Sequence, residues 1–398
     1  MELKICMLLP GSNLSIPLRP ALMGVYKKYF AKRGHTIIAI IHSLKNKGTK
    51  KKYWGDVEIC EISISTSPLY WLYSYIKKFI FIEKTIGGRN CNILFVRNSI
   101  FDGLFGIYIK RKYNIPLVFQ YSFPIIELSK ERGGLFRIIG IIQEFLYLKI
   151  MKEADVIHPI TKWMLKNQNY KSIDTSKIIP LPDGVSPDVF HPNVPTEDIY
   201  KEYDIKYSPT LIYIGTMDKL RKLDMLFYSF LKTKIKIKNA KLLMVGEGND
   251  KDNLEKLAHK LGLREDVIFT GKVPYSKIPS FIAASDIGIS MIQPIEIYKI
   301  SSPIKLYEYM GVGKPVVANM GIIEQEDAIK ESRGGILVSY NADAFANAII
   351  ELLENPKKAK KMGKKSREWV VKNRSYENMA QEIEKEYYKL LKSYNKET

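Results

Sequence analysis

The sequence predicts an α/β protein: two doubly wound, Rossmann-like units facing one another across a cleft. Three observations carry this. The chain opens as strand, helix, strand, an order that implies a parallel sheet with helices on its faces. A segment dense in proline, KIIPLPDGVSPDVFHP from Lys177 to Pro192, then reads as a connection between domains. Beyond it, from Thr210, the same alternation begins again. The expected division is a first domain over 1–190, a second over 191–375, and a C-terminal helix over 376–398. Ligands of such sheets bind beyond the carboxyl ends of the strands, so two facing edges would form one cleft.

In order, the apolar run Leu3 to Leu9 reads as a buried strand and Pro20 to Lys32 as a helix, with a second strand over Thr36 to Ile41. His35 falls where a helix gives way to a strand, the place of a cap. Further strands are expected at Val57 to Ile64, Ile93 to Val96 and Leu117 to Tyr121. Between Ser67 and Ile86, Tyr70, Trp71, Tyr73, Tyr75, Phe79 and Phe81 are interleaved with lysines, a pattern suited to a membrane interface. Leu135 to Lys152 is a second amphipathic stretch, for a membrane or for the sheet. ADVIHPITKWMLKNQNY, from Ala154, reads as a strand, a capped helix and a turn. In the second half, strands are expected at Thr210 to Ile214, Lys241 to Val245 and Val267 to Thr270, with helices to about Lys232 and over Lys251 to Leu261. Three of these strands end in glycine loops: Gly215-Thr216, Gly246-Glu247-Gly248 and Gly271-Lys272. Glycine there lets a ligand approach the backbone.

Charge and composition narrow the function. The 398 residues carry a formal net charge of +20. Residues 1–190 hold 28 Lys and Arg against 14 Asp and Glu, the remainder 34 against 28. No RNP, zinc or helix-turn-helix signature accompanies the excess, so nucleic acid is not the expected partner. An anionic membrane face is the better candidate for the basic first half; a solvated lysine-rich surface is the plain alternative. The opening apolar run is too short for a signal peptide or membrane span. Three scattered cysteines and five histidines without ligand spacing suggest a reduced, cytoplasmic protein without a structural metal, peripheral to the inner membrane face if membrane-bound.

The stretch ISSPIKLYEYMGVGKPVV, Ile300 to Val317, carries the chemistry. Ser302 suits an N-cap and Pro303 the first helical position; Gly311 and Gly313 stop the helix before a strand at Val316 and Val317. A helix N-terminus with Lys305 beside it attracts an anion, and phosphate is the natural guest. Glu308, about 9 Å further along the axis, is placed to accept hydrogen bonds from ribose hydroxyls. A capped surface helix with a solvated Glu is the plain alternative.

Together with RGHTIIAI, ADVIHPITKWM, KIIPLPDGVSPDVFHP, YIGTMDKLRKLDML, LLMVGEGND, LGLREDVIFTGKVPYSKIPSFIAASDIGIS and SSPIKLYEYMGVGKPVVAN, this stretch resembles the retaining, nucleotide-sugar-dependent glycosyltransferases of the GT-B fold, family four or group one. The resemblance implies a donor-binding second domain, an acceptor-binding first domain, and a C-terminal helix, here Tyr376 to Tyr394, that crosses back. It gives Glu308 the ribose, and Ser301, Ser302 and Ile304 the diphosphate. Arg221 takes the place of the usual lysine on the diphosphate, Lys272 and Val273 meet the base, and Gly215, Thr216, Gly246 and Glu247 lie at the same pocket. Thr216 stands where the family often has arginine, Ile300 where it has the first glutamate of a Glu-x7-Glu pair, and Pro17 and Leu18 near its usual glycine pair.

The implied reaction moves a sugar from a nucleoside diphosphate sugar to an acceptor hydroxyl of a glycan or glycolipid, with retention of configuration. Arg221 and Lys305 would stabilise the leaving diphosphate. The donor is a co-substrate; no cofactor is called for, and no metal, since Asp250-Lys251-Asp252 opens a helix where acidic residues cap. Arg97 and Tyr121 end first-domain strands and are the acceptor candidates. Asp183 and Gly184 shape the cleft floor or form a plain turn. A nucleotide-sugar 2-epimerase and a catalytically silent, membrane-associated nucleotide-binding subunit are the rival readings.

Overall fold

In the computed structural model the described residues are 2–9, 20–43, 49–54, 57–63, 68–88, 91–122, 134–165 and 170–395. Pro17 and Leu18 lie outside them, as do the side chains of Tyr70 and Trp71. The chain divides into two compact units, Met1–Pro182 with Tyr376–Thr398, and Asp183–Ser375. The changeover falls inside the proline-rich segment, short of residue 190.

The first unit is one seven-stranded sheet. Its elements are β1 (Lys4–Leu9), α1 (Pro20–Leu22, continuing with π-type bonding through Met23–Phe30), β2 (Thr36–Ser43), β3 (Thr49–Trp54), β4 (Val57–Ser63), α2 (Pro68–Gly87), β5 (Ile93–Arg97), α3 (Ile100–Tyr113), β6 (Leu117–Tyr121), α4 (Gly134–Glu153) and β7 (Val156–Pro159). The strand order is β3-β4-β2-β1-β5-β6-β7. All neighbours run parallel except β3, which lies antiparallel on β4. Strands β5, β6 and β7 are buried along their whole length, which is why they read as unbroken apolar runs.

Two places differ from the sequence reading. No strand was expected at Thr49–Trp54, whose three consecutive lysines hide its alternation. A lysine-rich strand suits a sheet edge, where charge deters pairing with another chain; Lys51 is exposed and paired with Glu58 on β4 at 2.6 Å. Where a helix is expected after β7, residues 161–165 form turns with Thr161 and Met164 buried; residues 166–169 of that stretch lie outside the described residues.

The last helix, Tyr376–Tyr394, packs into this first unit, with Tyr376, Ala380, Ile383 and Tyr387 in its core beside α1 and β1. Polar groups fix its register. The Tyr26 hydroxyl donates to that of Tyr387 at 2.8 Å, which in turn donates to His158 Nε2 at 2.8 Å, while His158 Nδ1–H donates to the Ile179 carbonyl at 2.6 Å. Burial holds the His158 imidazole down at about 4, so it stays neutral with one nitrogen free to accept. His35 caps no helix; it accepts from the Leu3 amide and donates to Glu384 of the last helix at 2.6 Å. Arg33 reaches the other Glu384 oxygen at 2.6 Å.

The second unit begins with α5 (Glu197–Tyr203), β8 (Thr210–Ile214), α6 (Asp224–Lys236), β9 (Lys241–Val245), α7 (Lys251–Lys260), β10 (Val267–Gly271) and α8 (Ile278–Ala283). It continues through β11 (Ile287–Ser290), α9 (Glu296–Lys299), α10 (Ile304–Gly311), β12 (Val316–Asn319), α11 (Ile323–Ser332), β13 (Gly335–Val338), α12 (Ala342–Glu354) and α13 (Pro356–Arg374); the last helix, already described, is α14. Its six strands are all parallel, in the order β10-β9-β8-β11-β12-β13. The order reverses between β8 and β11, and a crevice opens beyond the strand ends at such a point.

Candidate functional site

At the carboxyl edge of the second sheet the three glycine loops pack on one another. A Cβ at Gly246 would lie 2.0 Å from the Gly215 carbonyl oxygen, and one at Gly248 would lie 2.3 Å from that of Met217. The sequence reading took these glycines as places where a ligand meets backbone. At Gly246 and Gly248 the close neighbour is instead the loop after β8, held by Gly215 N–H to Val245 O and Met217 N–H to Glu247 O, both 3.0 Å. Gly215 differs: a Cβ there would meet the Lys305 ammonium at 3.4 Å.

Lys305 lies in the first turn of α10, where backbone N–H groups have no acceptor within the helix. Its ammonium sits over the Tyr213 ring, 3.8 Å from the centroid. Arg221 ends a short turn after β8 and lays its guanidinium over the Tyr298 ring at 4.7 Å. Burial, and then Arg221, hold the Lys305 ammonium well below its usual range, with Glu308 acting in the opposite direction. Two cations are thus held within electrostatic reach of one another at a helix N-terminus, an arrangement that an anion would relieve.

Glu308 is buried rather than solvated, one turn further along α10. Its carboxylate accepts from the Tyr275 hydroxyl at 2.7 Å. Burial pushes the carboxyl up to about 7; the Tyr275 hydrogen bond and Lys305 pull it down, and Asp183 pushes it further up.

Ser302 has a different task from the cap expected of it. Pro303 occupies the N-cap position and no side chain caps the helix. The Ser302 hydroxyl instead accepts from the Asp183 amide at 3.1 Å and donates to Glu324 at 2.9 Å. Glu324 also accepts from Tyr307 at 2.9 Å and Arg374 at 3.3 Å. Asp183 and Arg374 are the first and next-to-last residues of the unit, so this buried network ties the start of α10 to both places where the chain enters and leaves it. A long-range network outcompeted the local cap.

The other expected residues scatter by degree. Ile304 is the first residue of α10 and half-buried; Ser301 turns its hydroxyl back to the Tyr298 carbonyl at 2.7 Å. Thr216, Glu247 and Lys272 are exposed on the loops, and Val273 packs part-buried on the core. Asp250 stands at the start of α7 without capping it; its carboxylate accepts from the Asn253 side chain at 2.8 Å. Among the described residues no group of His, Cys, Asp or Glu is placed to hold a metal ion. In the first unit Arg97 ends β5 at the β1/β5 reversal and donates to Ser122 at 3.2 Å. Tyr121 is fully buried, with its ring against Tyr147 and Tyr170. Sequence reasoning missed Tyr213, Tyr275, Tyr298 and Glu324, which come from separate loops and helices without a shared motif.

Residues 196–369 match the family model described as glycosyl transferases group 1. A GDP-mannose-dependent alpha-(1-6)-phosphatidylinositol monomannoside mannosyltransferase of Mycolicibacterium smegmatis is 24% identical over 230 residues, 56% of this chain and 60% of that protein. The chain thus spans less than two thirds of that relative's length. The N-acetyl-alpha-D-glucosaminyl L-malate synthase of Bacillus anthracis is 23% identical over 92% of both chains. Among solved structures, the Anabaena protein HepE in complex with UDP and glucose superposes with a TM-score of 0.72 at 14% identity, covering 98% of this chain and 100% of that one. The group 1 match lies within the second unit, and the two Rossmann-like sheets share the fold of the GT-B glycosyltransferases.

Proposed function

We propose that the protein transfers a sugar from a nucleoside diphosphate sugar to an acceptor hydroxyl with retention of configuration. The observation that carries this is the pairing of Lys305 and Arg221 at the start of α10, with the buried Glu308 carboxylate one turn beyond. A diphosphate placed there meets two full charges and the helix amides, and a guanidinium presents two parallel donors to it. A ribose beyond the diphosphate brings its hydroxyls to Glu308. HepE holds UDP and glucose in the same fold, and the two curated relatives are named for mannosyl and N-acetylglucosaminyl chemistry; these support a hexosyl or N-acetylhexosaminyl donor.

In the reaction the bond from the sugar C1 to the diphosphate oxygen breaks, and negative charge grows on the leaving group. Lys305 and Arg221 are held over aromatic rings before the charge forms, and this preorganisation supports their stabilising the transition state more than the ground state. The acceptor oxygen attacks C1 from the leaving-group face, and its proton passes to the departing diphosphate. The protein supplies the cations itself, so chelator is expected to leave the rate unchanged. The acceptor is read as a glycan or lipid-linked glycan.

Thermal shifts with UDP, GDP and the other nucleoside diphosphates test this. A ligand at 100 times its dissociation constant adds about 2.7 kcal/mol of stability. One nucleotide should stabilise the protein, Glu308→Ala should lose most of that shift, and the matching sugar nucleotide should release its nucleotide with acceptor present. Binding without turnover on any glycan or glycolipid acceptor would support the silent-subunit reading instead; no binding at all would overturn the site.

A further inference from the structure

We infer that the amino-terminal turns of α4 are a docking surface that inserts into an anionic lipid bilayer. Helix α4 splits into two halves. Its second half is anchored in the first unit by buried Tyr147, Ile150 and Met151. Its first half is apolar and exposed: Leu135 is 70% accessible and Phe145 68%, and Ile138, Ile141 and Ile142 are each more than half exposed. At 100° per residue these form a stripe about 120° wide, with Arg137 and Glu144 along one margin and Gly140 buried. A monomer rarely leaves so concentrated an apolar surface to water.

Topology places this stripe. Helix α4 follows β6 and leads into β7, so its first turns lie at the carboxyl edge of the sheet, where Arg97 ends β5. Helix α3 packs against α4 and α2 against α3, and both present exposed apolar side chains from their amino-terminal halves: Phe101 on α3, and Tyr73 and Ile76 on α2. The sequence reading expected the membrane-facing residues mainly in 67–86. Among the described side chains the exposed apolar surface is larger on α4.

A bilayer fits this surface better than a protein partner because of charge. The first half of the chain holds twice as many basic as acidic residues, and exposed Arg137 and Lys77 flank the apolar ends. An anionic surface attracts such a unit from a distance and headgroups take up its basic groups. No helix among the described residues is long and apolar enough to cross a membrane, so α4 dips into the headgroup region, where interfacial helices bury about 5–10 Å. The inference stands on this surface and not on the transfer reaction.

Flotation of the full chain with phosphatidylcholine vesicles, with and without 30% phosphatidylglycerol (about one lipid in three, enough for a strongly negative surface), tests it. The wild type should float with the anionic vesicles at low salt and far less with the neutral ones. Ile138→Glu with Ile142→Glu should reduce the bound fraction about tenfold or more, whereas Tyr207→Glu with Ile235→Glu, equally charged and on exposed apolar positions of the second unit, should not. Both double variants should keep the wild-type melting midpoint and nucleotide shift, which separates this test from that of the donor site. Failure of the wild type to float, equal loss in both variants, or a wild-type dimer that Ile138→Glu with Ile142→Glu makes monomeric would each overturn the inference.

Discussion

The carboxyl edges of the two sheets share a doubly wound strand order and are furnished in opposite ways. The edge of the second unit is polar and tightly connected: Lys305 and Arg221 rest on aromatic rings, Glu308 is buried under Tyr275, and Ser302 joins a four-partner network. The edge of the first unit offers Arg97 bonded to Ser122, a buried Tyr121, and helix starts that are exposed and apolar. One topology therefore supplies two kinds of crevice. A diphosphate demands fixed charge at fixed distance, which a helix N-terminus and two cations provide. An acceptor can vary, and a less charged edge leaves room for that variation.

The contrast can be broken most directly at Glu324. Its buried carboxylate serves Ser302, Tyr307 and Arg374 together. Glu324→Ala would leave the Arg374 guanidinium buried without it and should cost about 3–5 kcal/mol, read from denaturant unfolding. Arg97→Ala at the other edge, where the guanidinium donates to a neutral hydroxyl, should cost less than half as much. Equal losses would show that the second edge is no more tightly built than the first.

Lys305→Met sharpens the same contrast on the side of chemistry. Removing one preorganised donor to the leaving group should lower turnover about 100- to 1,000-fold. The melting midpoint of the unliganded protein should hold or rise, because a buried ammonium next to Arg221 is relieved. A fall in turnover of less than tenfold would remove Lys305 from the transition state.

Much of this site was legible in the sequence and part of it was not. The spacing from Ser302 to Glu308, and the lysine between them, sufficed to put Lys305 and Glu308 on one short helix; that an anion and a ribose meet them there is the proposal made above. Ser302's task was misread as a local cap because its partners, Asp183 and Glu324, are distant in sequence and no periodicity links them. Tyr275 and Tyr298 were invisible for the same reason: each holds a site residue through a tertiary contact between loops. Strand β3 escaped notice because it lies at a sheet edge, where hydrophobic alternation is not required, and its Lys51 faces solvent. Parallel strands buried on both faces, by contrast, announce themselves through composition alone.

Glu308 gives a pH dependence of stability opposite in sign to that of Glu384 in the first unit. Burial raises its carboxyl to about 7, above the ordinary carboxylate range. The folded protein therefore holds a proton there that the unfolded chain gives up near pH 4.3. Relative to Glu308→Gln, the unliganded wild type should lose stability as pH rises from about 4.3 to 7 and remain level above. Nucleotide affinity should move the other way, rising about tenfold over the same window as the carboxylate ionises and accepts from the ribose. A titration of affinity against pH in both proteins checks this; identical profiles would show that Glu308 does not meet the nucleotide.

The smallest effect is expected at Glu384, which fastens α14 to the first unit. Arg33 and His35 outweigh burial and hold this carboxyl below its usual range. A depressed carboxyl contributes stability that is present above its unfolded value and lost as pH falls through its folded one. Glu384→Gln should therefore cost about 1 kcal/mol at pH 7, since Arg33 is half exposed and solvent screens it, and progressively less as pH falls through the folded carboxyl's value. The Tyr26, Tyr387 and His158 chain, in which His158 titrates near 4, continues to hold α14 at neutral pH. Thermal melts of wild type and variant at pH 7 and pH 3 decide it: a difference that persists unchanged in acid would mean that shape, not charge, fastens this helix.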